Sequence, residues 1–291
     1  MARFDYFEPR QTSEVIELLS KYGDEARVIA GGQSLLIMIR QELVRPKVLI
    51  SLDKISSLSQ IKLDGNGLEL GAMVTQSQLA AEPNIRSAFS VLAQAASRVG
   101  SVHVQNLGTV GGIVSHAEPN GDSAPALLSL GASVQALSSR GERYIPLENF
   151  FRGPFENVLE PDEFLTQIRV PFPEDGAFSV YLKHVLRGVD RAIVGVGVMI
   201  TVESGGVCED VRIGLCGAAP TPIRAKEAEA LLRGKKIVDS LLEAAGDEVS
   251  SHCDPLSDGH GPADYKKKMA ALFVKRAIRE ILGRRRSKPQ G

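Results

Sequence analysis

The chain has 291 residues, of which 43% are hydrophobic and 24% charged, and its formal net charge is −1. This composition is that of a globular protein long enough for two domains. The net charge is close to zero and therefore does not indicate binding to nucleic acid. No stretch approaches the roughly 18 consecutive apolar residues of a membrane span, and residues 1–7 lack the apolar run of a signal peptide. The sequence therefore predicts a mature N-terminus and a cytoplasmic chain.

The cysteines and histidines give no metal-binding pattern. Cys208, Cys216 and Cys253 form no Cys-x-x-Cys pair, which indicates buried thiols rather than cluster ligands. His103 and His116 flank a glycine-rich segment, where histidines are more often structural than catalytic. The spacing of the His, Asp and Glu residues does not resemble that of a zinc site. We therefore assign no metal ligand and no catalytic residue to this chain.

The first half of the chain alternates helical and strand patterns. A helix is predicted at 13–22 with Ser13 as its N-cap, and a glycine-rich segment extends from 108 to 122. The remaining predicted elements of this half are strands at 27–30 and 48–50, a helical turn at 35–40, a hairpin at 61–70, a helix at 85–99, a helix at 124–130 and a strand at 133–137.

A proline-rich and acidic stretch at 161–176 separates this half from a different pattern, and the domain boundary is placed at its end. Strands follow, then helices, and Arg284 opens a basic run that we interpret as a solvated tail. The predicted elements are strands at 180–186, 193–202 and 207–215, with a turn at Gly205-Gly206, and helices at 223–232, 238–249 and 263–282. This order favours two α+β domains.

The chemical signal lies in two glycine loops, Ala30-Gly31-Gly32-Gln33-Ser34-Leu35 and Gly108-Thr109-Val110-Gly111-Gly112. Glycine pairs after strands let a ligand approach the backbone, and exposed N–H groups there can bind a pyrophosphate. Asp122, beyond the second loop, can accept hydrogen bonds from ribose hydroxyls. Neither loop is a Rossmann fingerprint or a P-loop. Each loop alone is weak evidence, and the functional signal is the presence of both.

Both loops resemble the FAD loops of the medium subunits of carbon monoxide dehydrogenase-type molybdenum hydroxylases, and the flavin domain of xanthine dehydrogenase is similar. Further landmarks at 150–154, 163–171 and 219–225 extend the resemblance through the chain. It implies a vanillyl-alcohol-oxidase-like (PCMH-type) FAD-binding domain of two α/β subdomains, followed by a smaller C-terminal α+β domain. The expected domains are 1–176, with subdomains 1–56 and 57–176, and 177–283, and the tail is 284–291.

The resemblance also implies which residues bind non-covalent FAD. The two loops would wrap the pyrophosphate, Asp122 would hold the adenosine ribose, and Leu165 and Lys183 would contact the cofactor. Tyr181 matches an aromatic residue that shields the isoalloxazine, although a half-buried structural tyrosine is an equal alternative. The expected contact residues are Ile29, Ala30, Gly31, Gly32, Gln33, Ser34, Leu35, Gly108, Thr109, Gly111, Gly112, Ile113, Asp122, Leu165, Tyr181 and Lys183.

The sequence departs from the family pattern at three positions near the second loop. Ile113 stands where the family usually has Asn, and Gln105 and Leu107 stand where it favours Arg. In the family, polar side chains at these positions would lie near the flavin or near the edge that faces its partner. Their loss is therefore expected to change the properties of the flavin rather than the fold.

The resemblance implies an oxidoreductase subunit that transfers electrons. Molybdenum cofactor would reside in a large partner chain and [2Fe–2S] clusters in a small one, with a dimer of heterotrimers as the expected assembly. A self-contained FAD-dependent oxidase of the same superfold is the alternative, and a flavin-free interaction module is a third hypothesis. The substrate of the complex and the electron acceptor are not encoded in this chain.

Overall fold

The structure is a computed structural model that describes residues 3–203 and 205–287. Its helices are α1 (Thr12–Tyr22), α2 (Leu35–Arg40), α3 (Gln76–Ala81), α4 (Pro83–Ala88), α5 (Ser90–Ser97), α6 (Val102–Leu107), α7 (Val110–His116), α8 (Ser123–Ser129), α9 (Lys226–Leu232), α10 (Asp239–His252) and α11 (Ala263–Ser287). Its strands are β1 (Asp5–Phe7), β2 (Ala26–Ile29), β3 (Val48–Ser51), β4 (Ile61–Asp64), β5 (Gly67–Gly71), β6 (Ser133–Ser138), β7 (Gly141–Pro146), β8 (Phe151–Gly153), β9 (Glu156–Asn157), β10 (Phe164–Pro171), β11 (Ala177–His184), β12 (Val194–Val202), β13 (Cys208–Cys216) and β14 (Ile223–Arg224).

The N-terminal part contains two small sheets with their own cores. A parallel sheet in the order β1-β3-β2 packs Val15 and Leu19 of α1 against the buried strand β3. The second sheet is antiparallel, in the order β4-β5-β10-β6-β7, and it carries a larger core that includes Leu70, Val134 and Ile168. The first glycine loop leaves the first sheet at the end of β2, which puts it at the border of the two subdomains.

The C-terminal part is an antiparallel sheet, β11-β12-β13-β14, between two layers of helices. Helices α9, α10 and α11 pack their apolar residues on one face, and α5 and α8 of the N-terminal part contact the other. A Cβ atom on Gly214 would lie 2.2 Å from the Pro125 carbonyl oxygen, so helix α8 contacts the sheet backbone directly. This close approach brings the residues around Asp122 against β11.

Most of the predicted elements are confirmed, including α2, the β4–β5 hairpin and the β11–β12–β13 meander. The prediction of one helix over 85–99 is wrong, because Phe89 adopts a non-helical backbone (φ −124°, ψ 46°) and separates α4 from α5. Ser13 is not an N-cap; Gln11 occupies that position. The proline-rich stretch at 161–176 was assigned no strand, but β10 within it is the central strand of the second sheet.

The predicted basic tail from residue 284 is also corrected. Helix α11 continues to Ser287. In its last turn, Arg284 forms an ion pair with Glu280 at 2.5 Å, and Arg285 donates to the Glu203 carbonyl at 2.6 Å. These contacts extend the helix beyond its last apolar residues, and residues 288–291 lie outside the described part. Within the described residues, no helix has the length and apolar character needed to cross a membrane.

A candidate cofactor site where two glycine loops meet

The first glycine loop connects β2 to α2 in a sharp turn. Gly32 has φ = 67°, a left-handed conformation that residues with a side chain avoid. Gln33 donates from Nε2 to the Gly31 carbonyl at 3.1 Å, which fixes its side chain over the turn. Among the described residues, the backbone N–H groups of Gly32, Gln33 and Ser34 have no hydrogen-bond acceptor. Three consecutive free donors suit anionic oxygens such as those of a pyrophosphate.

The second loop is a helix N-terminus whose donors are already used. Thr109 caps α7 by accepting from the Gly112 N–H at 3.1 Å. The Gly111 N–H donates to the Ala72 carbonyl at 2.9 Å. The N–H groups of Gly111 and Gly112 are therefore paired within the protein, unlike those of the first loop.

The two loops lie in direct contact. A Cβ atom on Gly31 would lie 1.7 Å from the Leu107 carbonyl oxygen, which only glycine permits. A Cβ atom on Gly112 would lie 3.7 Å from the Ala30 side chain. The two segments that the sequence singled out are far apart along the chain, and the fold brings them together into one site.

A buried polar cluster joins the two domains beyond the second loop. The Tyr181 hydroxyl donates to Asp122 Oδ1 at 2.6 Å, and Lys183 Nζ lies 2.9 Å from Asp122 Oδ2. Lys183 also donates to the Arg98 carbonyl at 2.8 Å. Asp122 is 6% exposed and Tyr181 2%. Strand β11 supplies Tyr181 and Lys183, whose alternate positions put both on the sheet face toward α8.

Burial and the neighbouring polar groups act in opposite directions on the Asp122 carboxyl. Burial raises the pKa of Asp122 above its ordinary value, and Lys183 and then Tyr181 oppose that shift by stabilising the charged form. Burial, followed by the charge of Asp122, raises the pKa of Tyr181 well above its ordinary value. The Tyr181 hydroxyl therefore remains a hydrogen-bond donor at any physiological pH.

This geometry bears on the roles expected for Asp122 and Tyr181. An extended FAD carries its adenosine ribose and its isoalloxazine at opposite ends. Asp122 and Tyr181 are hydrogen-bonded to each other, so they cannot bind those two ends separately. Tyr181 is buried in the core rather than half-buried, with its hydroxyl committed to Asp122.

Four of the expected contact residues have apolar side chains that are buried or half-buried. Leu165 is 3% exposed and lies at a bulge of β10, where the pairing with β6 shifts register. Ile29 is 8% exposed, and Leu35 and Ile113 are half-buried. Little or none of the Ile29 and Leu165 side chains is therefore open to solvent.

Sequence reasoning missed a residue beneath the second loop. Gln76 is fully buried; its N–H donates to the Gly108 carbonyl at 3.0 Å and its Oε1 accepts from Ser123 at 3.0 Å. Its Nε2 has no partner among the described residues. Thr75 and Gln78 form a capping box, and this three-residue spacing was the available signal for the start of α3.

The other titratable residues do not extend this cluster. His103 is exposed, and His116 packs 5.1 Å from the Phe155 ring, where burial and then Arg191 lower its pKa. Burial raises the pKa of the Cys208 and Cys253 thiols to about 11. No group of three metal-ligating side chains exists in the described part of the chain.

The fold and the site together define a nucleotide-cofactor protein that binds through two loops. The first loop has free N–H donors, and at Gly31 it packs closely against the Leu107 carbonyl. Both features suit the pyrophosphate of a dinucleotide. The cross-domain cluster supplies a buried ion pair beyond the second loop.

Comparison with known proteins identifies the family. Residues 2–173 match the model of the FAD binding domain in molybdopterin dehydrogenase, and residues 180–281 match that of the CO dehydrogenase flavoprotein C-terminal domain. The medium chain of carbon monoxide dehydrogenase from Hydrogenophaga pseudoflava is 33% identical over 95% of this chain and 96% of its own. The glyceraldehyde dehydrogenase medium chain of Sulfolobus acidocaldarius is 31% identical over 96% and 98%.

Solved structures agree with the sequence relatives. A carbon monoxide dehydrogenase from Hydrogenophaga pseudoflava that lacks the Mo-pyranopterin moiety superposes with a TM-score of 0.94, at 34% identity, over 97% of this chain and 98% of that one. Quinoline 2-oxidoreductase from Pseudomonas putida 86 gives 0.89 at 30% identity, over 96% of each chain. The chain therefore belongs to the family of FAD-binding medium subunits of molybdopterin dehydrogenases, with a PCMH-type FAD domain and a C-terminal flavoprotein domain.

Proposed function

We propose that this chain is the electron-transfer subunit of a heterotrimeric molybdenum hydroxylase. It accepts electrons from the iron–sulfur clusters of a partner chain and delivers them to an external acceptor. The observation that carries the proposal is the contact between the two glycine loops, with three free N–H donors in the first, on a fold shared with such medium chains.

Non-covalent FAD, when bound, supplies the redox chemistry, and the protein supplies position and electrostatics. Gly32, Gln33 and Ser34 would donate to the pyrophosphate. The remaining contacts would come from the residues expected from the family motifs, namely Ile29, Ala30, Gly31, Leu35, Gly108, Thr109, Gly111, Gly112, Ile113, Asp122, Leu165, Tyr181 and Lys183. The buried Lys183 would place a fixed positive charge beside the cofactor, with Asp122 as its counter-ion.

Because Asp122, Tyr181 and Lys183 form one cluster, we assign all three to the isoalloxazine end of the site. This assignment replaces the ribose contact for Asp122 and the shielding contact for Tyr181. Tyr181 then acts through its hydroxyl, which orients the Asp122 carboxylate.

The relatives' names support the proposed partners. The relative from Hydrogenophaga pseudoflava is named a medium chain, which implies a larger and a smaller chain in the same enzyme. We assign the molybdenum cofactor to a large partner chain and the [2Fe–2S] clusters to a small one, in a dimer of heterotrimers. The proposed location is the cytoplasm, where the three free cysteines stay reduced.

Three measurements on the purified protein test this function. We expect a yellow protein whose flavin is released by acid, bleached by dithionite and not reduced by organic substrates in stopped-flow mixing. Addition of the co-purifying large and small chains should confer substrate-dependent bleaching.

Each other outcome favours a different function. Acid-stable flavin, or reduction of the isolated chain by an organic substrate at a catalytic rate, favours the self-contained oxidase. A colourless protein that takes up no FAD favours an interaction module.

A further inference from the structure

The second glycine loop is held by hydrogen bonds to the segment that follows β5. The Gly111 N–H donates to the Ala72 carbonyl at 2.9 Å, and the Gln76 N–H donates to the Gly108 carbonyl at 3.0 Å. Both contacts are made by backbone atoms of residues 72–76. They therefore persist when the Gln76 side chain is replaced.

The Gln76 side chain binds the first residue of α8. Its Oε1 accepts from the Ser123 hydroxyl at 3.0 Å, and neither residue is exposed to solvent. Ser123 directly follows Asp122, whose carboxylate binds Tyr181 and Lys183. Gln76 therefore joins the second glycine loop, through its backbone, to the buried cluster, through its side chain.

The Gln76 amide carries a cost to stability. Its Nε2 is buried and has no hydrogen-bond partner within residues 3–203 and 205–287. Native structures keep few such groups, because an unpaired buried donor has lost its hydrogen bonds to water. An apolar side chain of similar length would avoid this cost. A local conflict of this kind is expected where a residue serves function rather than stability.

We propose that Gln76 is a positioning residue of the cofactor site, which holds the second glycine loop in fixed register with the Asp122–Lys183 pair. The inference rests on the proposed function, in which the loop contacts FAD and the pair lies at the isoalloxazine end. A cofactor that reaches both needs them at a constant separation. Without the bond from Ser123, the loop stays on residues 72–76, whereas α8 follows the C-terminal sheet on which it packs.

The test removes the side-chain bond and leaves the backbone bond in place. Gln76→Met keeps the length of the side chain, and Gln76→Met combined with Ser123→Ala also leaves no hydroxyl unpaired. Ser129→Ala is the matched control. The Ser129 hydroxyl is buried at the opposite end of α8, where it donates to the Ala126 carbonyl at 2.8 Å.

Three quantities are measured on the full chain. They are the midpoint of urea unfolding of the apoprotein, the dissociation constant for added FAD and the midpoint potential of the bound flavin. The first reports the fold, whereas the other two report the arrangement of the cofactor site.

We expect the double variant to unfold at the urea concentration of the wild type or above it, because no buried donor is left unpaired. Its dissociation constant for FAD should nevertheless rise at least about tenfold, because the loop and the pair are no longer preorganised for one ligand. The flavin potential should rise, because a displaced Asp122 compensates the charge of Lys183 less well. Gln76→Met alone should show both flavin effects, and Ser129→Ala neither.

Two results overturn the positioning role. One is a double variant whose FAD affinity and flavin potential match those of the wild type. The other is a loss of FAD that only follows a fall in the urea midpoint, while the flavin that stays bound keeps the wild-type potential. If the double variant does not fold, the same measurements on Ser123→Ala, which retains Gln76, decide between the outcomes.

The proposed function fails separately. A wild-type chain that binds no FAD overturns both proposals. A wild-type chain that binds FAD, but whose flavin is not bleached when the partner chains and their substrate are added, overturns the electron-transfer function alone. The comparison of the variants with the wild type then still decides the role of Gln76.

Discussion

The Lys183 ammonium lies 2.9 Å from the Asp122 carboxylate, and both side chains are buried where α8 of the FAD-binding domain meets β11 of the C-terminal domain. This buried ion pair, whose partners come from two domains, links the two domains directly. Removing one charge leaves the other without a counter-ion in a low-dielectric setting, which is strongly destabilising.

We therefore predict that Asp122→Asn and Lys183→Met each lower the free energy of unfolding by about 3 kcal/mol. The double variant should recover part of that loss, because no lone charge remains buried. In the flavin-loaded Asp122→Asn protein, the midpoint potential should rise, since Lys183 then places an uncompensated positive charge near the cofactor. Urea denaturation and a redox titration measure the two effects.

Glu42→Gln is a suitable control, because the Arg45–Glu42 pair is about 70% exposed and is expected to contribute less than about 1 kcal/mol. Strictly additive effects of the two buried substitutions would show that the pair is not energetically coupled. Weaker FAD binding with an unchanged potential would return Asp122 to the adenosine ribose.

The glycines of the second loop are required by packing. A Cβ atom on Gly111 would lie 2.7 Å from the Ala72 backbone oxygen, which also accepts the Gly111 N–H. We predict that Gly111→Ala lowers the free energy of unfolding by about 1–3 kcal/mol through overpacking. It should therefore lose FAD together with the fold, which thermal unfolding of the apoprotein detects.

Gly65→Ala is the matched control, since a Cβ atom there would meet no atom within 4 Å. Gly32→Ala should behave differently from both: its strained turn carries the free donors, so FAD affinity should fall more than stability. A stable Gly111→Ala protein that is specifically FAD-free would contradict this separation of roles.

The sequence predicted the two loops because glycine pairs leave a local signature, and the family resemblance linked them. The contact between Gly31 and Leu107 could not be predicted from local sequence patterns, because it depends on how the two subdomains pack. The buried cluster shows the same limit. Asp122 was singled out as a ligand, but its pairing with Lys183 is set by the fit of α8 on the C-terminal sheet.

Secondary structure failed where tertiary packing overrides local preference. The proline-rich stretch before the predicted domain boundary was assigned no strand, yet Ile168 and Val170 alternate inward within it, in the central strand of a sheet. Phe89 breaks a helical pattern because its ring is fully buried and stacks 5.7 Å from Phe172. The break at Phe89 leaves no periodic signal in the sequence.

Substitutions at Tyr181 can show whether its hydroxyl or its ring affects the flavin. The Tyr181 hydroxyl is a buried donor to Asp122 at 2.6 Å, and a lost hydrogen bond to a charged group costs about 1.5–3 kcal/mol. We predict that Tyr181→Phe loses this amount of stability and shifts the flavin potential in the direction of Asp122→Asn. If the ring instead shields the isoalloxazine, Tyr181→Phe should retain the wild-type potential and only Tyr181→Leu should change it.

A second ion pair gives a pH-dependent prediction. Arg143 donates to both oxygens of Glu163, at 2.9 and 2.6 Å, and so ties β7 to the start of β10. Burial opposes the charge of Glu163, but the hydrogen bonds from Arg143 and from the Glu160 N–H outweigh it. They hold the pKa of Glu163 below its ordinary value of 4.5.

A carboxyl group whose pKa is lower in the folded state stabilises the protein above its unfolded pKa. That contribution should be fully present above about pH 5 and be lost as the pH falls from 4.5 through the lower folded value. Glu163→Gln should therefore cost roughly 1–2 kcal/mol at pH 7, a modest figure because Arg143 is half exposed, and little at acid pH. Urea denaturation of the wild type, Glu163→Gln and the exposed control Glu174→Gln across this range measures the difference. A Glu163→Gln penalty that stays constant as the carboxyl titrates would show that the ion pair does not stabilise the fold.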